Sequence, residues 1–338
     1  MSTPRELVYQ SLHFANPARV PRQLWTLKWA EFNYPEQLAK IRRDFPDDIA
    51  YSPAFEKAPP QTQGDQYEVG EFVDDWGCRF INIHRGVIGE VKEPLIKGDD
   101  WEDKDALRLP EGHLTVDKEK VNEFCRHTDR FVLPPIGVNP FERMQFIRTT
   151  ERLYLDLAAR SKGMFEVLEK VHDFNCRLLT VWAETEVDGL HFADDWGGQR
   201  RLLINPQLWR EVFKPLYRDY IEIAHRHGKK IFMHSDGYIL EIIPDLIDLG
   251  LDALNSQIFC MGVEKLKPFR GKITFWGEID RQHLLPRGTP QEIEDAVRQV
   301  KEALWANGGC IAQCEFGAGA KPENVYKVFE TWNRVLES

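Results

Sequence analysis

The sequence has little of what would direct it to a membrane, a nucleic acid or an oxidising compartment. No stretch approaches the roughly 18 uncharged apolar residues that a membrane helix needs, and the opening MSTPRELVYQ lacks the apolar core of a signal peptide. A cytoplasmic protein with no membrane contact is expected. Basic residues are outnumbered, 44 against 54 acidic ones, for a formal charge of -10. That balance argues against a general polyanion binder, so no nucleic-acid partner is expected. Neither GxxxxGK[ST] nor GxGxxG occurs, which removes the usual nucleotide signatures. The six cysteines are scattered over 338 residues and do not suggest a disulfide framework; Cys78, Cys125, Cys176 and Cys260 read as small buried hydrophobes. No repeat, low-complexity tract or Gly/Ser linker divides the chain. One domain over residues 1–338 is expected.

What is present is an alternation of short apolar runs with amphipathic stretches. Strands are expected at Arg22 to Leu27, Asp48 to Ser52, Arg130 to Pro135, Val187 to Phe192, Ile231 to His234, Ala253 to Ser256, Ile273 to Trp276 and Cys310 to Cys314. Helical spacing fills the intervals, including Phe141 to Glu184 with a break near Lys162, Pro206 to His227, 239–249, 289–306 and 322–337. Eight strands in largely alternating order predict a (β/α)8 TIM barrel, with a doubly wound sheet as the alternative. Residues 53–110, rich in Gly and Pro and alternating through VDDWGCRFINIHRGVIGEV, read as an inserted hairpin and loop.

Polar residues gather at the carboxyl ends of these strands, where α/β folds place their sites. They are Asp194 and Asp195, His234 and Asp236, Asn255 and Gln257, Glu278 and Asp280, and Cys314 with Glu315. Asp194 or Asp195 could equally cap a following turn. In Ile231 to Gly237, period-two geometry places His234 and Asp236 on one side of the chain. With Cys314 they offer an imidazole, a carboxylate and a thiolate, a set suited to zinc. Spacing alone leaves open a hydrogen-bonded His-Asp pair with a buried cysteine.

At these residues the chain resembles the uroporphyrinogen decarboxylase superfamily. The likeness runs through VDDWGC, Phe192 to Gly198 (FADDWGG), Gly228-Lys229-Lys230 with MHSDG, Ile243 to Leu246, Gly250 to Asn255 and Lys321 to Val325. It implies a (β/α)8 barrel and one of two chemistries. The decarboxylases need no cofactor and carry an arginine pair after the first strand; Lys28 and Phe32 stand near those places, so the pair is missing. The methyltransferases hold zinc on His-x-Cys and a distant Cys, which implies a metal on His234, Asp236 and Cys314, with Asp236 replacing the first cysteine.

The resemblance therefore leads to an expected zinc-dependent methyltransferase or O-demethylase, moving methyl from a small methoxylated or methylated compound to a corrinoid protein or a thiol. Asp194, then Glu278, would deliver a proton; Trp196 and Trp276 would wall the pocket; Gln257 or Glu278 could add a fourth ligand. The alternative is a metal-free carboxy-lyase acting on a porphyrinogen, in which Asp194 or Asp236 stabilises a protonated ring and Lys28 or Arg201 holds a carboxylate. A third is a non-catalytic barrel that binds a corrinoid or tetrapyrrole partner.

Overall fold

Every expected strand forms in the computed structural model, which describes residues 2–336. In chain order they are β1 (Arg22–Thr26), β2 (Ile49–Tyr51), β3 (Gly70–Val73), β4 (Arg79–Asn82), β5 (Glu90–Val91), β6 (Phe131–Leu133), β7 (Gly189–Ala193), β8 (Lys230–Ser235), β9 (Ala253–Ser256), β10 (Thr274–Trp276) and β11 (Cys310–Phe316). Six of them make a parallel sheet in the order β1-β11-β10-β9-β8-β7, and β2 pairs with β6 in a parallel two-stranded ladder. Single bonds carry the chain between the two ladders: Asp48 N donates to Arg22 O at 2.8 Å and Asp188 N to Val132 O at 2.9 Å. The first strand lies beside the last and the order never reverses. A doubly wound sheet reverses at its switch point, so the α/β fold here is a parallel sheet curled into a half-barrel.

Side chains alternate across this sheet, and the alternation sorts the core into two parts. Ile49, Phe131, Leu133, Phe232, Ala253, Trp276 and Ile311 face inward. Val8 and Leu12 of the helix Pro4–Leu12 join them and cover the amino ends of the strands. Burial of each Val, Leu, Ile or Phe among them contributes about 1.5–3 kcal/mol. The carboxyl ends stay accessible. Outward-facing residues such as Leu24, Phe192, Ile231, Met233, Leu254 and Ala312 pack with the helices in a larger apolar shell.

The helices depart from expectation where proline or a strained residue intervenes. The run from 141 to 184 divides into Pro140–Arg148, Thr150–Ala159 and Lys162–Ala183, the first break falling at Thr149, whose φ is 67°. Pro215 starts a new helix, Lys214–Arg226, after Pro206–Val212. Pro244 fits only a first turn, so the helix expected at 239–249 begins at Ile243. The last helix spans Pro322–Arg334 and gives way to a turn at Val335 and Leu336, short of the expected extension, whose last residue, Glu337, lies outside the described residues. The insertion is more than a hairpin: β3, β4 and β5 form a three-stranded antiparallel sheet. An Arg143–Asp74 ion pair ties it to the helix Pro140–Arg148, and His113 bridges Glu56 and Asp75 at 2.5 and 2.6 Å. Among the described residues, no helix is long and apolar enough to cross a membrane.

Candidate metal centre

Strand parity decides what reaches the open end of the sheet. On β8, Ile231 and Met233 face the helices, so Phe232 and His234 face inward. On β7, Phe192 packs outward with Tyr217, while His191 and Ala193 turn in, and Asp195 continues the inward series. His234, Asp195 and Asp236 meet there with their ligating atoms within 4.8 Å of one another. His234 Nε2 is 3.4 Å from Asp195 Oδ1 and 3.5 Å from Asp236 Oδ1. Those gaps are long for hydrogen bonds. They suit two ligands on one ion, because nitrogen and oxygen bound tetrahedrally to zinc stand about 3.4 Å apart.

The imidazole is oriented for that role. Asn255 Nδ2 donates to the carbonyl of Trp276, so its Oδ1 faces His234 Nδ1, 2.6 Å away, as an acceptor. Nδ1 must therefore carry hydrogen, and the lone pair of the neutral ring sits on Nε2, toward the two carboxylates. Burial alone would lower the pKa of His234, but the charges of Asp195 and Asp236 raise it to about 9. Without a metal the ring is an imidazolium held between two carboxylates. Asp236 Oδ1 is buried and has no hydrogen-bond partner. A buried acceptor left unpaired is costly, and a cation between Asp195, His234 and Asp236 would satisfy it.

The surroundings are acidic. Arg281 is ion-paired to Asp236, lies 3.1 Å from Glu315 and 3.5 Å from Glu278. Burial pushes Glu278 up to about 8, assisted by Asp236 and Glu315. Glu142, in the first turn of Pro140–Arg148, is pushed up to about 7 by burial and by the charge of Asp195. It also lines a cavity of about 800 Å³ between the inserted sheet and the helices, whose walls include Trp76, Phe146, Arg143 and Asn175. Trp25 lies 5.2 Å from the His234 ring and meets Trp276 edge-on at 5.0 Å.

The sequence-derived site residues divide by the face they occupy. Trp276 is inward and forms a floor beneath His234, its Nε1 donating to Gln23 Oε1 at 3.0 Å. Gln257 accepts from Gly237 N at 3.1 Å, and with Glu278 and Arg281 it lines a hollow of about 160 Å³. Cys314 does not join His234 and Asp236. On β11 it shares the outward face with Cys310 and Ala312 and is fully buried in the helix-side shell, while Glu315 turns inward in its stead. Asp195 supplies the third ligating group. Asp194, completely buried, accepts from Phe141 N and Glu142 N at 2.9 Å and from Tyr217 OH at 2.6 Å, so it caps the helix Pro140–Arg148.

Trp196 likewise faces outward, stacked on Phe141 at 4.0 Å with Nε1 on Tyr217 OH. It supports the site from behind and does not wall it. Lys28 is exposed at the start of the short helix Lys28–Asn33, bonded to Glu31 at 2.6 Å, and Arg201 is exposed on the loop after Gly198. Glu142, Arg281 and Trp25 were not singled out from the sequence, and Asp195 and Asn255, placed at the strand ends, were given no part in holding a metal. Parity along FADDW could have given Asp195 that part; Glu142 and Arg281 come from loops and helix starts whose approach no local pattern reveals.

The sequence profile described as uroporphyrinogen decarboxylase (URO-D) matches residues 75–335. No curated protein sequence matches the chain. Among solved structures, a methyltransferase from Methanosarcina mazei superposes over 100% of both chains with a TM-score of 0.70 at 13% identity. An apo 3-keto-D-glucoside 4-epimerase, YcjR, from E. coli covers 64% of this chain and 84% of its own at 13% identity, with a TM-score of 0.41.

Proposed function

The chain belongs to the uroporphyrinogen decarboxylase family, and from that premise we propose that it is a metal-dependent methyltransferase on the family's (β/α)8 barrel, with zinc held by Asp195, His234 and Asp236. The unpaired Asp236 Oδ1 carries this reading, together with the 3.4 and 3.5 Å spacings around Nε2. A divalent metal in that set supplies Lewis acidity toward a substrate oxygen, or lowers the pKa of a bound thiol. Two carboxylates and one imidazole make a harder donor set than a thiolate-bearing one, which leaves the metal the stronger acid.

The chain's own groups do the rest. Asn255 fixes the tautomer of His234, and Trp25 and Trp276 keep water from beneath it. The 800 Å³ cavity receives the body of a small methoxylated or methylated compound between Trp76, Phe146 and Arg143. Glu142, which borders that cavity and feels the charges of Asp195 and His234, retains its proton near neutrality and delivers it to the atom that loses the methyl group. The acceptor is a thiol or the corrinoid of a partner protein. The decarboxylase reading is disfavoured by the cations: Arg281 and Arg143, which line the site and the cavity, are both neutralised by carboxylates, leaving a polycarboxylate poorly met.

Metal analysis of the purified protein, with Asp195→Ala, His234→Ala and Asp236→Ala alongside, tests the proposal. One equivalent of zinc lost in each variant, with demethylation of a methoxylated aromatic lost in parallel, is the expected result. Full metal content in Asp236→Ala would overturn it.

A further inference from the structure

A second group of ligating atoms lies away from the open end of the sheet, on two helices of the outer layer. His172 and Cys176 are one turn apart on Lys162–Ala183, and Asp219 faces them from Lys214–Arg226. His172 Nε2 is 2.9 Å from Asp219 Oδ2, and Cys176 Sγ is 3.7 Å from the same nitrogen. On a tetrahedral zinc ion the corresponding separations are about 3.4 Å for nitrogen and oxygen and about 3.6 Å for nitrogen and sulfur. The sulfur is also 3.8 Å from Nδ1, so side-chain rotation that brings it toward Nε2 and Asp219 accompanies ligation.

The ring is also supported from behind. His172 Nδ1 lies 3.2 Å from the hydroxyl oxygen of Tyr220, which accepts from Asn175 Nδ2 at 3.2 Å. Tyr220 is completely buried and Asn175 nearly so, so neither moves freely. Such a partner fixes the far nitrogen of a ligating histidine and leaves Nε2 for the metal. The near side opens outward: the His172 side chain is 14% exposed and that of Asp219 51%. A metal held there would have three protein ligands and an accessible fourth position.

We propose that His172, Cys176 and Asp219 form a second divalent-metal site, with a donor set suited to zinc, that links the two long helices behind β7. On binding, the ring proton resides on Nδ1 and donates to the Tyr220 oxygen, and the Cys176 thiol releases its proton to solvent. The site shares no residue with Asp195, His234 and Asp236, so it stands whether or not the methyltransferase reading does.

Cobalt(II) distinguishes the two sites, because a sulfur-to-cobalt charge-transfer band in the near ultraviolet requires a thiolate ligand and the inner site has none. Titration of cobalt into the metal-free full-length protein is expected to produce that band. Cys176→Ser abolishes it, Asp219→Asn weakens it, and His234→Ala leaves it intact. Tyr220→Phe, which removes the bond that positions the ring along with the acceptor of Asn175, weakens cobalt binding by about 10- to 100-fold. Asp219 is half exposed and its substitution leaves the fold unburdened, so a misfolded Cys176→Ser protein would not hide the answer. Absence of the band in the unmodified protein, its survival in Cys176→Ser, or its loss in Cys260→Ser would overturn the proposal.

Discussion

Asp194 and Asp195 are neighbours with opposite duties, and alanine at each position separates them. Asp194→Ala removes the acceptor of two buried backbone N–H groups at the start of Pro140–Arg148 and of the Tyr217 hydroxyl. Buried donors left unpaired cost about 1–3 kcal/mol each, and a lost helix cap about 1 kcal/mol. Partial rescue by water brings the expected loss to about 3–5 kcal/mol. An unfolding entropy of about 2.1 cal/mol/K per residue converts that to a fall in Tm of roughly 4–7 °C for a chain of this length. Asp195→Ala gives up one backbone acceptor interaction, with Asp236 N at 2.9 Å, on a side chain 39% exposed. Its expected cost is about 1 kcal/mol, while bound metal is lost. Calorimetry and metal content, measured on both variants, read the contrast. A stable, metal-replete but inactive Asp194→Ala would refute the assignment of Asp194 to scaffolding and return it to catalysis.

Other outcomes follow from the same geometry. Cys314→Ala is expected to keep its metal and lose only about 1–2 kcal/mol of stability through a small buried cavity; metal loss on analysis would restore Cys314 as a ligand. Asn255→Leu frees His234 Nδ1 from its acceptor and should weaken metal binding about 10- to 100-fold by competition titration. Asp47, whose carboxylate accepts from Leu24 N at 2.7 Å, is pushed up to about 6, chiefly by burial. The folded state thus binds more protons than the unfolded one between about pH 4 and 6, so stability falls as pH rises through that window, by up to about 3 kcal/mol. Asp47→Asn keeps the acceptor oxygen and should flatten that part of the denaturation profile; an unchanged slope would place the titration elsewhere.

The strand ends were legible because each apolar run carries its own boundary, and eight of them in sequence led to the curled parallel sheet. What the sequence left unresolved was parity at those ends. In FADDWGG the two carboxylates look equivalent until Phe192 is known to pack against Tyr217; then Asp194 and Trp196 share its outward face and Asp195 alone turns in. In CIAQCEF the same rule puts Cys310, Ala312 and Cys314 together against the helices and gives the inward position to Glu315. A thiol attracts attention as a ligand, yet a one-residue shift sends every side chain to the opposite face. Arg281 was illegible for a different reason. Its guanidinium reaches Asp236 and Glu315 from the loop after β10, across separations that no local periodicity encodes. Its charge nevertheless bears on the proposed chemistry: it engages Asp236 and Glu315 from one side, while Asp236 Oδ1 on the other has no hydrogen bond and faces His234 Nε2 at 3.5 Å. The proposed metal would sit on that open side, a position set by the asymmetry and not by the identity of any single residue.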